Sequence, residues 1–140
     1  MITVTLDTNI YISALEFGGT PLRLLHMAVE EEIETTISQP IIEETRRILR
    51  DKFGWSQARL DEVEAWLSSF TRLVAPRQTL DVVKQDPPDN RILECAVEAG
   101  SQYVVSGDSD LLRVEQYCGA QIVKLADLLK VMQGKTEPAR

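Results

Sequence analysis

Three aspartates, Asp7, Asp89 and Asp108, stand where carboxylates can converge on a cation. Residues 2–6 (ITVTL) are a β-branched run that ends directly in Asp7, and residues 103–106 (YVVS) lead through Gly107 into Asp108. Asp89 closes the loop Asp86-Pro87-Pro88-Asp89, which feeds the helical pattern ahead of that second run. In an open parallel sheet, functional side chains gather at the carboxyl ends of strands. Carboxylates brought to one edge repel one another, and burial raises the cost, so the arrangement calls for a divalent cation. Oxygen donors without a His or Cys cluster favour Mg2+ or Mn2+ over zinc. Such a cation activates water and stabilises charge on a phosphate, alone or as one of a pair roughly 3.5–4 Å apart. This chemistry needs no histidine base, and the single histidine, His26, falls in a helical pattern. Phosphodiester hydrolysis is the natural reaction class.

Each acid also has a structural role open to it. Asp7 can cap the helix that follows it. Asp86 can cap the next helical segment, with Pro87 in its first turn. Capping is the role assigned here to Asp86 but not to Asp89. Either Asp108 or Asp110 suffices to cap a helix at Leu111, which leaves the other over. Glu43, Glu44 and the acids at 30–32 read, taken singly, as solvated helix surface. Asn9 can complete a turn or steady Asp7.

The elements that must position these groups alternate in type. After the first strand, Asp7-Thr8-Asn9 opens a helix over residues 10–15, and Pro21 suits the first turn of another running to about 32. Residues 34–37 (ETTI) read as a strand. Ser38 caps a helix carrying Ile41, Ile42, Ile48 and Leu49, with Pro40 in its first turn. Gly54 ends that helix, and Ser56 caps the next, which carries Leu60, Val63, Trp66, Leu67 and Phe70. Residues 72–75 (RLVA) are a strand candidate, and 76–84 fit no pattern. A helix over 90–99 ends at Gly100. Beyond the 103–106 strand come a helix through about 115, a strand at 121–123 and a helix at 125–132. Strands alternating with helices predict a three-layer α/β/α sandwich with a mainly parallel sheet of about five strands. Residues 1–133 are expected to form one domain and 134–140 a disordered tail.

At 140 residues the chain is the size of one domain. Its formal net charge of −7 argues against a surface that grips nucleic acid throughout, since phosphate contacts need Lys and Arg. It does not exclude a nuclease, because carboxylates that hold cations present a positive face once loaded. Cys95 and Cys118 lack metal-type spacing and read as reduced thiols, with Cys95 inside a helix. No apolar run approaches the roughly 20 residues that span a bilayer. The opening MITVTLDTN has no basic segment followed by an apolar one. A cytoplasmic protein with no membrane partner is expected.

Three stretches together carry a more specific signal: Leu6-Asp7-Thr8-Asn9, residues 38–49 (SQPIIEETRRIL), and residues 86–112 (DPPDNRILECAVEAGSQYVVSGDSDLL). In this order they resemble the PIN-domain family, and spacing extends the resemblance from Met1 to about Met132. The pattern is most similar to the bacterial and archaeal PIN proteins, including VapC-like ones, that serve as toxins of toxin–antitoxin modules. The resemblance implies that Asp7, Asp89 and Asp108 are metal-binding catalytic acids. It implies that Glu44, rather than Glu43, is a further catalytic acid, and that Asp110 is an auxiliary metal ligand. Thr8, Asn9 and Ser106 match polar support positions; Ser106 stands where Thr is more usual and keeps the hydroxyl. The family fold is a five-stranded, mostly parallel sheet, and its members usually cleave RNA with Mg2+ or Mn2+. The toxins commonly form homodimers blocked by an antitoxin protein.

Arg46, Arg47 and Arg50 follow Glu44 on the same helical segment and could hold RNA phosphates; Glu–Arg pairing on a solvated face explains them equally. Arg23 and Arg113 are weaker candidates. An RNA-processing nuclease without an antitoxin, and a binding protein that has kept only the fold, are the rival readings. A phosphatase of the Asp-x-Asp type would need a second acid where Asn9 stands. A phosphoacceptor receiver would need an acidic pair near the first strand and a lysine after a late one.

Overall fold

The computed structural model describes residues 1–136. The β-branched runs form strands β1 (Thr3–Leu6), β2 (Glu34–Ser38), β3 (Thr71–Val74), β4 (Tyr103–Val105), β5 (Gln116–Tyr117) and β6 (Ala120–Val123). The helices before the fourth strand are α1 (Thr8–Phe17), α2 (Gly19–Val29), α3 (Gln39–Phe53), α4 (Gln57–Phe70) and α5 (Asp89–Ala99). Two more follow, α6 (Ser109–Leu112) and α7 (Leu125–Thr136). The strands form one sheet in the order β3-β2-β1-β4-β6-β5, parallel throughout except for β5 against β6. The expected α/β/α sandwich is therefore the observed fold.

This order decides where a site can form. From β1 the chain steps outward to β2 and then β3, and α5 carries it back across to β4 on the other side of β1. With right-handed crossovers, α5 covers the face opposite α1–α4. The direction of winding reverses between β1 and β4, and a crevice opens beyond their carboxyl ends. Asp7 directly follows one of these strands, and Ser106, Gly107 and Asp108 follow the other.

Helix stops follow the glycines: Gly54 and Gly100 end α3 and α5 in the left-handed conformation, at φ 71° and 67°. Ser56 caps α4 by accepting from the Arg59 N–H at 3.2 Å. Ser38 occupies the cap position of α3 without bonding it, because it is still the buried last residue of β2. The helix expected to reach residue 115 stops at Leu112, since Glu115 adopts φ 66° and redirects the chain. Gln116 and Tyr117 then pair antiparallel with β6 through a tight turn in which Cys118 and Gly119 both have positive φ, 48° and 85°. Among the described residues the sheet thus has six strands rather than five. At the other end, α7 passes through Gly134 to Thr136, so the expected tail is helical in its first residues. Residues 137–140, also assigned to that tail, lie outside the described residues.

Residues 75–88 form no regular element, yet polar side chains on one face of α5 tie them down. Glu98 accepts from the Arg77 N–H at 3.0 Å, and Glu94 from the Leu80 N–H at 2.8 Å. Asn90 accepts from the Val82 and Val83 N–H groups, both at 2.8 Å, and donates to the Val83 and Pro87 carbonyls at 2.9 and 3.0 Å. Positions 90, 94 and 98 are one helical turn apart, so the side chains form a row. The row substitutes for the sheet partner that this segment lacks, and Val83 packs into the core beside it. A second buried polar group links the central strands: the Thr5 hydroxyl bonds those of Thr36 and Ser101, each at 2.8 Å.

Asn90→Ala would remove four hydrogen bonds and leave the buried Val83 amide and the part-buried Val82 amide without partners, which costs about 2–4 kcal/mol in all. Urea unfolding measures it, and a loss under about 0.5 kcal/mol would contradict this role for Asn90.

Candidate metal centre

The site begins with how β1 ends. The Asp7 N–H donates to the Val105 carbonyl at 2.9 Å, which holds the ends of β1 and β4 side by side. Asp7 occupies the cap position of α1, but its carboxylate makes no capping bond. Instead its Oδ2 accepts from the Ser106 hydroxyl at 2.7 Å, and the same hydroxyl oxygen accepts from the Asp108 N–H at 2.9 Å. One buried serine therefore fixes Asp7 and the backbone of Asp108 together.

Asp108 does cap a helix. Its Oδ1 accepts from the Asp110 and Leu111 N–H groups at 2.7 and 3.2 Å, which fixes the carboxylate at the start of α6. The third part is the turn before α5. The Asp89 N–H donates to the Asp86 carbonyl at 3.0 Å across Pro87 and Pro88. The residue at the cap of α5 is Pro88, so Asp86 is not the capping residue that the sequence suggested. Two consecutive prolines with fixed φ close the turn earlier than a capping box would, and the Asp86 side chain turns to the crevice.

Oxygens of Asp86, Asp89 and Asp108 lie within 4.8 Å of one another. They line a cavity of about 220 Å³ together with Asp7, Thr8, Asn9 and Glu44, and Pro40, Ile41 and Ile48 form an apolar wall. Asp7 and Asp89 are buried, at 4% and 6% exposure. Among the described residues, no Lys, Arg or His pairs with Asp7, Asp86, Asp89 or Asp108. Burial, followed by repulsion from Asp7, Asp108 and Asp86, pushes the Asp89 carboxyl up to about 8. Burial likewise raises Asp7, although the Ser106 hydrogen bond pulls it back, and Asp108 adds to the rise. Asp86 is raised by desolvation and then by Asp108.

These residues fit a hard divalent cation. The donor set is all oxygen, and Asp89 Oδ2 is buried with no hydrogen-bond partner, a costly state for a carboxylate that nothing neutralises.

Other expected residues stand differently. Glu44 lines the cavity but is held by Arg47, whose Nη2 and Nε approach it at 2.7 and 3.3 Å. Asp110 is outside the three-acid cluster: its carboxylate faces Arg113 at 3.1 Å, one turn along the chain. Arg46 is occupied by Asp61 and Glu64 of α4, and Arg50 by Asp51. None of the three arginines lines the cavity, and of them Arg47 alone lines the surface beside it. Two residues that line the cavity were not expected there from the sequence: Asp86, read as a helix cap, and Arg91. The Asp-Pro-Pro-Asp string held the signal for Asp86, since a turn across positions i to i+3 can present both acids to one side.

A family model described as PIN domain matches residues 3–110, a span that runs from β1 past every acid of the cluster. The chain belongs to the PIN-domain family. No curated protein matches it. PIN domains are generally metal-dependent nucleases, and the acidic triad of this PIN domain can hold a metal ion.

A carboxyl whose pKa is higher folded than unfolded stabilises the fold while protonated, and that contribution fades as pH rises towards the folded value. For Asp89 the window runs from the unfolded value near ~4 to about 8, and Asp7 and Asp86 shift in the same direction. The chelated protein should therefore lose Tm between about pH 5 and pH 8, and Mn2+ should raise Tm more at pH 8.5 than at pH 6. Thermal unfolding with EDTA or Mn2+ checks this; a chelated Tm that rises with pH would refute it.

Proposed function

We propose that this PIN domain is an endoribonuclease that hydrolyses RNA phosphodiester bonds with Mg2+ or Mn2+. The observation that carries the reading is that Asp7, the Asp86 and Asp89 turn, and Asp108, from three separate parts of the chain, line one crevice with no cationic partner at the reversal point of a parallel sheet. Asp7, Asp89 and Asp108 would hold the cation, with Asp86 beside them. When bound, the cation supplies charge neutralisation at the scissile phosphate and activation of water. Glu44, at the rim, is placed to orient that water or take up its proton once Arg47 releases it. Ser106 keeps Asp7 turned into the crevice, and Thr8 and Asn9 furnish neutral polar groups beside it. Asp110 acts from outside, by donating its N–H to Asp108.

The biological role we assign is the toxin of a toxin–antitoxin module, on the resemblance of the motif set. That role implies an antitoxin partner protein. The processing-nuclease alternative shares the chemistry and lacks that partner.

Purified protein should cut single-stranded RNA with Mg2+ or Mn2+ and stop in EDTA. Asp108→Asn should lower the rate on the order of 100-fold or more, because it removes a charged ligand. Cleavage that persists in excess chelator would overturn the metal-dependent reading. Growth arrest by the wild type but not by Asp7→Asn, read in an expression host, supports the toxin role; RNA cleavage without arrest supports processing.

A further inference from the structure

The acidic cavity does not end at its carboxylates. It opens into a furrow lined by Pro40, Glu43, Glu44, Arg47, Pro87, Pro88 and Arg91, and the two share Pro40, Glu44, Pro88 and Arg91. Among the described residues lining the cavity itself, Arg91 is the only cation. It stands in the first turn of α5, two residues after Asp89, and its guanidinium is anchored from one side. Nη2 forms an ion pair with Glu94 Oε2 at 2.8 Å and donates to the Leu80 carbonyl at 3.3 Å, while Nε is buried with no partner. The side chain is nevertheless 40% exposed. An arginine held this way is fixed in direction and keeps Nη1 outside these contacts, a charged donor that suits a phosphate. Arg47 lines the furrow farther out, and its partner Glu44 is a shared wall residue.

Building on the nuclease reading above, we infer that Arg91, with Arg47 beyond it, holds the backbone of a single-stranded RNA along this furrow. The phosphate next to the scissile one rests on Arg91. Pro40, Pro87 and Pro88 offer rigid apolar surface for a sugar or base. Arg46 and Arg50, bound to acids away from the furrow, take no part. The charge balance favours this assignment. In a chain of net charge −7, the strand is gripped only where a cation meets the acidic cavity.

The test is binding, read apart from catalysis. A fluorescent single-stranded RNA oligomer is titrated by anisotropy in Ca2+ and recovered intact, over a series of salt concentrations. Mn2+ affinity of each variant is measured separately by calorimetry. Arg91→Gln should weaken oligomer binding about tenfold and lower the salt slope by roughly 0.7, the loss of one phosphate contact. Its Mn2+ affinity should be unchanged. Arg47→Ala should weaken binding less, and Arg46→Ala and Arg50→Ala should not alter it. Arg91→Lys keeps the charge and a donor to Glu94, so it should fall between wild type and Arg91→Gln if the latter folds poorly. A duplex of the same sequence should compete weakly. Wild-type binding and slope in both Arg91 variants would overturn the proposal, as would tight duplex competition. Mn2+ binding without oligomer binding would overturn it and leave the metal site standing, whereas loss of both would remove the nuclease reading as well.

Discussion

Mutual repulsion among Asp7, Asp86, Asp89 and Asp108 is the constraint on which the molecule turns. Asp7 and Asp89 are buried, and the set has no basic partner among the described residues. A fold that places like charges in a crevice must either neutralise them or pin them against separation. Here Asp89 is driven towards its protonated form, and the backbone supplies the pinning.

Three local devices do that pinning, and each also serves the fold. The Ser106 hydroxyl bridges Asp7 and the Asp108 amide, so the ends of β1 and β4 are tied through the site rather than beside it. Capping of α6 uses one oxygen of Asp108 and fixes its direction. Asn90 satisfies four backbone groups, one of them the Pro87 carbonyl in the turn between Asp86 and Asp89. None of these contacts neutralises charge. They hold the acids in place, which is what preorganises a cation site.

Much of this was legible in the residues. Strand-to-aspartate junctions at Asp7 and Asp108 marked the sheet edge, because β-branched runs and their following polar residues are local signals. Gly54 and Gly100 stopped helices where a left-handed residue was needed. Strand β5 was not legible: two residues make no pattern, and its turn uses Cys118-Gly119 in place of the usual Asn-Gly signal. Asp86 was misassigned because a cap and a turn share the same composition, and only the position of the first helical residue separates them. Arg91 was hidden for a different reason. Its place depends on Glu94 and on the irregular segment at Leu80, and long-range contacts with a patternless stretch leave no periodicity to read. The arginines after Glu44 showed the converse, since proximity in sequence suggested a group that α4 and Asp51 divide.

In this cluster a bound cation would take over the role of the proton. Calorimetric titration of Mn2+ into chelator-treated protein at pH 7, in two buffers of different ionisation enthalpy, measures the protons released on binding. With Asp89 pushed up to about 8, saturable binding should release close to one proton. Saturable binding that releases no proton, or no saturable binding at all, would contradict the account.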